Sequence, residues 1–212
     1  MPAFLSLENL RPFFDLSDKH LLQRLKWSLV PFSQQFFNDY NEKPDLYGPF
    51  WVLATLICSM YTSSNLYCYL TFDDKEEAFN TTTNKIPVAA AIVFGVAIGL
   101  PSLMRLVLNL YGTQQSDQQR QTSLVKSVGI YCYSFCPLIV ASCLCGVLPY
   151  QLVHWLIILV AGAQQVAVLF TSFWADFQQN LPPQTRWIAI GVMAAIQLVL
   201  LLVFKLYFYP LP

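Results

Sequence analysis

The sequence predicts an all-α integral membrane protein: five transmembrane helices behind a short N-terminal segment. Three observations carry that fold class. Of 212 residues, 56% are hydrophobic and only 11% are charged, against about 25% charged in an ordinary soluble domain. Five apolar stretches, 47–71, 86–109, 124–148, 152–174 and 187–208, each exceed the ~20 residues that a helix needs to cross a ~30 Å hydrocarbon core. The connections between them are too short to hold a soluble domain. Backbone in lipid must satisfy its own hydrogen bonds, so each stretch is expected to be a helix and not an open sheet.

Residues 1–46 form the N-terminal segment. Phe4, Leu5, Glu8, Arg11 and Asp15 leave no uninterrupted apolar core there, so no secretory signal is expected and the first span acts as its own insertion signal. Within the segment, 17–30 (SDKHLLQRLKWSLV) reads as an amphipathic helix. Ser17 stands at its cap, Leu21, Leu22, Leu25 and Leu29 lie on one face, Lys19, Gln23, Arg24 and Lys26 lie largely elsewhere, and Pro31 ends it. Such a helix either lies on the cytosolic leaflet, with Trp27 beside it, or packs on its own bundle.

The first span, 47–71, opens with PDLYGPFW. Pro49 suits the first helical turn, where a missing N–H costs nothing, and Gly48 frees the turn before it. Asp45 lies just ahead of the positive end of the helix dipole, and Tyr47 and Trp51 are interface anchors. The acidic connection 72–85 carries the sequon Asn80-Thr81-Thr82, a weak glycosylation signal. The second span, 86–109, bears Ala91, Gly95 and Gly99, a ladder of small residues that lets helices approach closely, within the chain or with another copy or partner span. Pro101 should kink this helix, and Arg105 lies close enough to its end to snorkel.

A glutamine-rich connection, 110–123, leads to the third span, 124–148. The turn LPYQ, 148–151, makes the third and fourth spans an antiparallel hairpin, and Pro182 and Pro183 interrupt the chain before the fifth. Gln164 in the fourth span and Gln197 in the fifth are expected to hydrogen-bond across helices; a permeation path is the other reading. With the N-terminus in the cytosol, Arg11, Lys19, Arg24, Lys26, Lys43, Arg105, Arg120, Lys126 and Arg186 fall on that side, and Lys75, Lys85 and Lys205 on the other. Positive residues are retained in the cytosol, so this is the preferred orientation, with the C-terminus lumenal.

The same residues narrow the function. Formal net charge is zero, with no basic excess to hold nucleic acid. His20 and His154 have no carboxylate or thiol at a spacing that suggests a dyad, so an enzyme is not expected. The six cysteines all fall in apolar stretches without zinc-ligand spacing, so neither a metal nor a cofactor is expected. No Asp or Glu lies inside a span, which disfavours an ion path. A small transporter or channel, and a protein whose tail helix shapes the bilayer, remain as competing classes.

PDLYGPFW uses more chemistry than a helix start requires. The string Asp45-Leu46-Tyr47-Gly48-Pro49-Phe50-Trp51 resembles the signature of the Yip family, multi-pass Golgi and ER membrane proteins that interact with Ypt/Rab GTPases. FFDLSDKHLLQRLKWSLVP, 13–31, is similar to the pre-membrane segment of one branch of that family. VGIYCYSFCPLIVASCL, 128–144, is similar to its third span, matching at Tyr131, Tyr133 and Ser134, with Cys132 where the family usually has glycine. The resemblance covers about residues 13–208. It implies a non-catalytic role in vesicle traffic at the Golgi membrane, with cycling through the ER or endosomes. It also implies binding to prenylated Rab-type GTPases and to other Yip-family members, as oligomers. Asp45, Tyr47, Gly48, Pro49 and Trp51 are the expected contact patch.

Overall fold

The computed structural model describes residues 17–30, 36, 39–40, 42–71, 85–111, 117–148 and 150–209. Among the described residues seven principal helices follow in order: α1 (Asp18–Ser28), α2 (Tyr47–Thr71), α3 (Lys85–Tyr111), α4 (Asp117–Tyr133), α5 (Cys136–Val147), α6 (Gln151–Asn180) and α7 (Pro183–Phe208). No strand occurs among the described residues. Four stretches are long and apolar enough to cross a membrane: Lys85–Leu110, Leu124–Val147, Gln151–Trp174 and Pro183–Phe208. Asn80 lies outside the described residues.

Helix α2 has the length of a span, 25 residues, about 37 Å at 1.5 Å per residue. Its hydroxyls and amide (Ser59, Thr62, Ser63, Ser64, Asn65) make it less apolar than the other four. The structure shows where several of them go. Ser142 Oγ donates to Ser59 Oγ at 2.8 Å, Ser63 Oγ meets Tyr209 Oη at 2.5 Å, and Ser64 Oγ donates to the Phe208 carbonyl at 2.7 Å. Gly146 of α5 sits so tightly on Ser63 that an added Cβ would lie 2.8 Å from the Ser63 Cα. Small polar residues here allow close helix contact and satisfy one another across it.

The stretch formed by α4 and α5 is the bundle's centre: 72% of its apolar 18-residue core is buried, against 28–39% in the other three spans. It is not one helix. The chain turns at Ser134–Phe135, with Phe135 N–H on the Cys132 carbonyl at 3.1 Å and Leu138 N–H on the Phe135 carbonyl at 3.0 Å. Pro137 supplies the reason. It has no N–H for the Tyr133 carbonyl one turn back, and its ring opposes a continuing helix. Pro101, by contrast, does not break its helix: α3 continues from Lys85 to Tyr111 with that proline inside it.

Two packing expectations need correction. Ala91, Gly95 and Gly99 are exposed, and a Cβ built on either glycine meets no atom within 4 Å. The buried face of α3 is Ala89, Val93, Ala97, Leu100, Met104 and Leu108. The small-residue ladder therefore does not pack within this chain. Gln197 does bond across helices, but to Gln165: its Nε2 donates to Gln165 Oε1, while its own Oε1 accepts from Tyr131 Oη at 3.0 Å. Gln164, one residue away and turned about 100° around the axis, reaches the end of α1 instead, donating to the Leu29 carbonyl at 2.6 Å.

At the end of the bundle away from α1, Lys205 is 1% exposed and donates to Gln151 Oε1 at 2.5 Å and to the Tyr209 carbonyl at 2.8 Å. Tyr67, His154 and Tyr209 pack edge to edge beside it, with ring centroids 5.1–5.8 Å apart.

Candidate interaction site at the membrane entry

The opening of α2 is the centre of a buried polar network, not a wet surface. Asp45 is 2% exposed. Its Oδ2 accepts from the Gly48 N–H at 2.8 Å, satisfying one of the orphan donors of the first turn of α2. Arg24 Nη1 donates to Asp45 Oδ1 at 2.5 Å, and Arg24 Nε donates to Asp39 Oδ2 at 2.7 Å. Arg24 Nη2 also donates to the Lys43 carbonyl at 2.8 Å. One guanidinium thus ties α1 to the chain just before α2. Burial opposes its charge, but Asp39 and Asp45 outweigh that cost, and the pKa of Arg24 rises above its ordinary value.

Two tyrosines complete the network, each against a glycine. Tyr133, at the end of α4, points its hydroxyl at both carboxylate oxygens of Asp45, at 3.3 and 3.2 Å. It lies where a side chain at Gly48 would be, so an added Cβ would collide with the Tyr133 hydroxyl. Tyr40 donates to the Asp45 carbonyl at 2.6 Å, and its hydroxyl fills the place of a side chain at Gly129. Phe36, Tyr40 and Tyr133 form a ring cluster with centroids 5.5–5.8 Å apart. Burial raises the Tyr40 phenol well above its usual range, and the Asp45 carboxylate adds to that.

The structure divides the expected contact patch. Asp45, Gly48 and Pro49 are buried. Tyr47 is half-buried, while Phe50 and Trp51 are about half exposed. Trp51 lies edge-on to both Tyr47 and Phe50, at 6.3 and 5.7 Å between centroids. The second motif is drawn to the same place. Tyr133 meets Asp45; Ser134 Oγ donates back to the Tyr131 carbonyl at 2.6 Å in the turn; and Tyr131 points the other way, to Gln197. Cys132 is accommodated at 2% exposure.

Sequence reasoning missed Arg24, Asp39, Tyr40 and Gly129. A signal for Arg24 was present. The spacing Leu21, Arg24, Leu25, Ser28 follows i, i+3, i+4, i+7, which places the cation in the middle of a buried stripe. A charge there requires a carboxylate partner. In the structure Arg24 and Ser28 are buried and Leu21 and Leu25 pack on the core, whereas Leu22 and Leu29 face outward. The four leucines do not share one role.

Among the described residues no group of three or more His, Cys, Asp or Glu side chains is placed to hold a metal ion. An apolar crevice lined by Leu56, Met60, Phe135, Leu138, Phe204 and Phe208 offers nothing polar to a solute.

The fold and this site define a polytopic helical membrane protein whose membrane-entry motif is locked against its central span. The chain belongs to the Yip1 domain family, which it matches over residues 27–206. It is 30% identical over 207 residues to the protein YIPF1 homolog of Dictyostelium discoideum, covering 98% of this chain and 57% of that protein. It is 30% identical over 82 residues to protein YIP5 of Schizosaccharomyces pombe, covering 39% of this chain and 32% of that one. The chain thus spans little more than half the length of the first relative and about a third of the second. No solved structure matches it.

Proposed function

We propose that this chain is a non-enzymatic membrane protein of vesicle-mediated transport between ER and Golgi or within the Golgi. It crosses the bilayer five times, α2 included, with its N-terminus cytosolic and its C-terminus lumenal. It binds prenylated Rab-type GTPases and sister family members through the start of α2. Family membership supports the traffic role. The division of the signature carries the site: Asp45, Gly48 and Pro49 build a rigid base, and that base holds Tyr47, Phe50 and Trp51 at the rim. Rigid aromatic side chains presented on a fixed element suit partner anchoring, because little side-chain freedom is lost on contact.

The test is capture of partners from solubilised membranes by Trp51→Leu, with expression and monomer stability as controls. Loss of the GTPase or sister protein at normal expression is expected. Undiminished capture would reduce the aromatic rim to a membrane anchor.

A further inference from the structure

Helix α1 carries apolar side chains on both sides: Leu21, Leu25 and Trp27 pack on the core, and others face outward. Its buried side holds Arg24 and Ser28, at 1% and 4% exposure. Its outward side holds Leu22 at 60%, Leu29 at 45% and Val30 at 58%. Lys19, His20, Gln23 and Lys26 are exposed with them. The polar side is satisfied by the protein, Arg24 by Asp39 and Asp45, and Ser28 by the Leu25 carbonyl at 2.8 Å. Among the described residues the apolar edge has no counterpart.

The depth of the helix end explains this. Gln164 Nε2 donates to the carbonyls of Ser28 and Leu29, at 3.2 and 2.6 Å, so it caps the C-terminus of α1. Gln164 lies well inside the membrane-crossing stretch Gln151–Trp174. It is about 20 Å along the axis from Gln151 and about 15 Å from Trp174. In that position the end of α1 is below the headgroups. A helix end there has no water for its last carbonyls, and an amide from a spanning helix takes its place. Lys19 lies at the start of α1 and Lys26 in its last turn; both are exposed, and such long side chains can extend to phosphates while their stems stay apolar.

We propose that α1 is a wedge seated in the leaflet on the tail's side of the bilayer. Its Arg24 side is bound by the bundle, its apolar edge (Leu22, Leu29, Val30) touches acyl chains, and Gln164 anchors its C-terminal end. The partner is the lipid itself, and the inference does not depend on capture of any GTPase.

The test uses the full chain in phosphatidylcholine vesicles that contain a phospholipid with a photoactivatable diazirine in its acyl chain. Adducts are then located by peptide mass spectrometry. Leu198 and Val199, outward-facing on α7, serve as lipid-exposed references. Adducts on Leu29 and Val30 at a yield similar to the references are expected, with fewer on Leu22. Gln164→Leu should lower the Leu29 and Val30 yield several-fold and leave the references unchanged. Labelled references with an unlabelled 22–30 segment would overturn the wedge, whether water or a second copy covers that edge. Undiminished labelling of Leu29 and Val30 in Gln164→Leu would overturn the anchor.

Discussion

Asp45 shows how far one residue's environment changes what it does. The sequence places it just ahead of a helix start, where an exposed charge near the dipole is worth ~1 kcal/mol or less. The structure buries it under Arg24, the Gly48 N–H and Tyr133. Breaking a buried ion pair from one side is costly because the other charge stays behind. Asp45→Ala is therefore expected to destabilise the protein by about 3 kcal/mol, the low end of the usual range because Asp39 still holds Arg24. Thermal unfolding in detergent measures this; a loss under 1 kcal/mol would mean that the network is slack. Gly48→Ala should also destabilise, by about 1–3 kcal/mol of overpacking against the Tyr133 hydroxyl. Tyr133→Phe removes that oxygen, so the double variant should recover part of the loss, and a cycle with no coupling would refute the socket. Tyr40 adds a pH prediction. Its folded pKa lies above the unfolded value near 10, so its contribution is present below that value and is lost only as pH rises through the folded one. Protection of the tail from added subtilisin should hold from pH 7 to 10; release within that window would show that the phenol is not buried as described.

Among the elements, adjacent glutamines separate what periodicity can and cannot tell. Both lie in an apolar helix, and hydropathy treats them alike. Their side chains diverge by about 100°, so Gln165 meets Gln197 inside the bundle and Gln164 meets α1 at its flank. Gln197→Leu strands Gln165 and Tyr131 together and should cost about 1–2 kcal/mol in detergent unfolding. Gln164→Leu should leave the unfolding midpoint of the bundle nearly unchanged. The reverse order would show that the assignment of partners is wrong. The break between α4 and α5 was written in the sequence as Pro137, but it was masked by a continuous run of apolar residues. A proline one turn after Tyr133 marks the turn; the expectation of a single helix over 124–148 gave composition more weight than the missing N–H.

For the whole molecule, the exposed ladder on α3 makes a sharp distinction. Gly95→Leu and Gly99→Leu add bulk where no atom of this chain lies within 4 Å. Monomer stability should stay within ~0.5 kcal/mol of wild type, as for substitutions away from packed features. A large loss of monomer stability in dilute detergent would contradict the placement of α3. Topology is tested separately. With tags at both ends on sealed vesicles, the proposed orientation predicts that external protease removes the N-terminal tag and spares the C-terminal one.

The sequence alone determined the all-helical membrane class, the limits of four spans to within a few residues, and the special character of 45–51. Hydropathy sums along the chain, and the bilayer's thickness turns a sum into a span. It also carried the family, because DLYGPFW and the Tyr131–Ser134 motif are strings. Only the tertiary structure decided what those strings touch. Asp45 meets Tyr133 across 88 positions, and Arg24 meets Asp45 across 21. Whether a polar side chain faces lipid, water or another helix depends on which helices are neighbours and how each is rotated. One helix's periodicity gives its faces but not what stands opposite them. So a motif expected to form one contact patch is part buried and part exposed, and a glycine ladder read as packing within the chain faces outward.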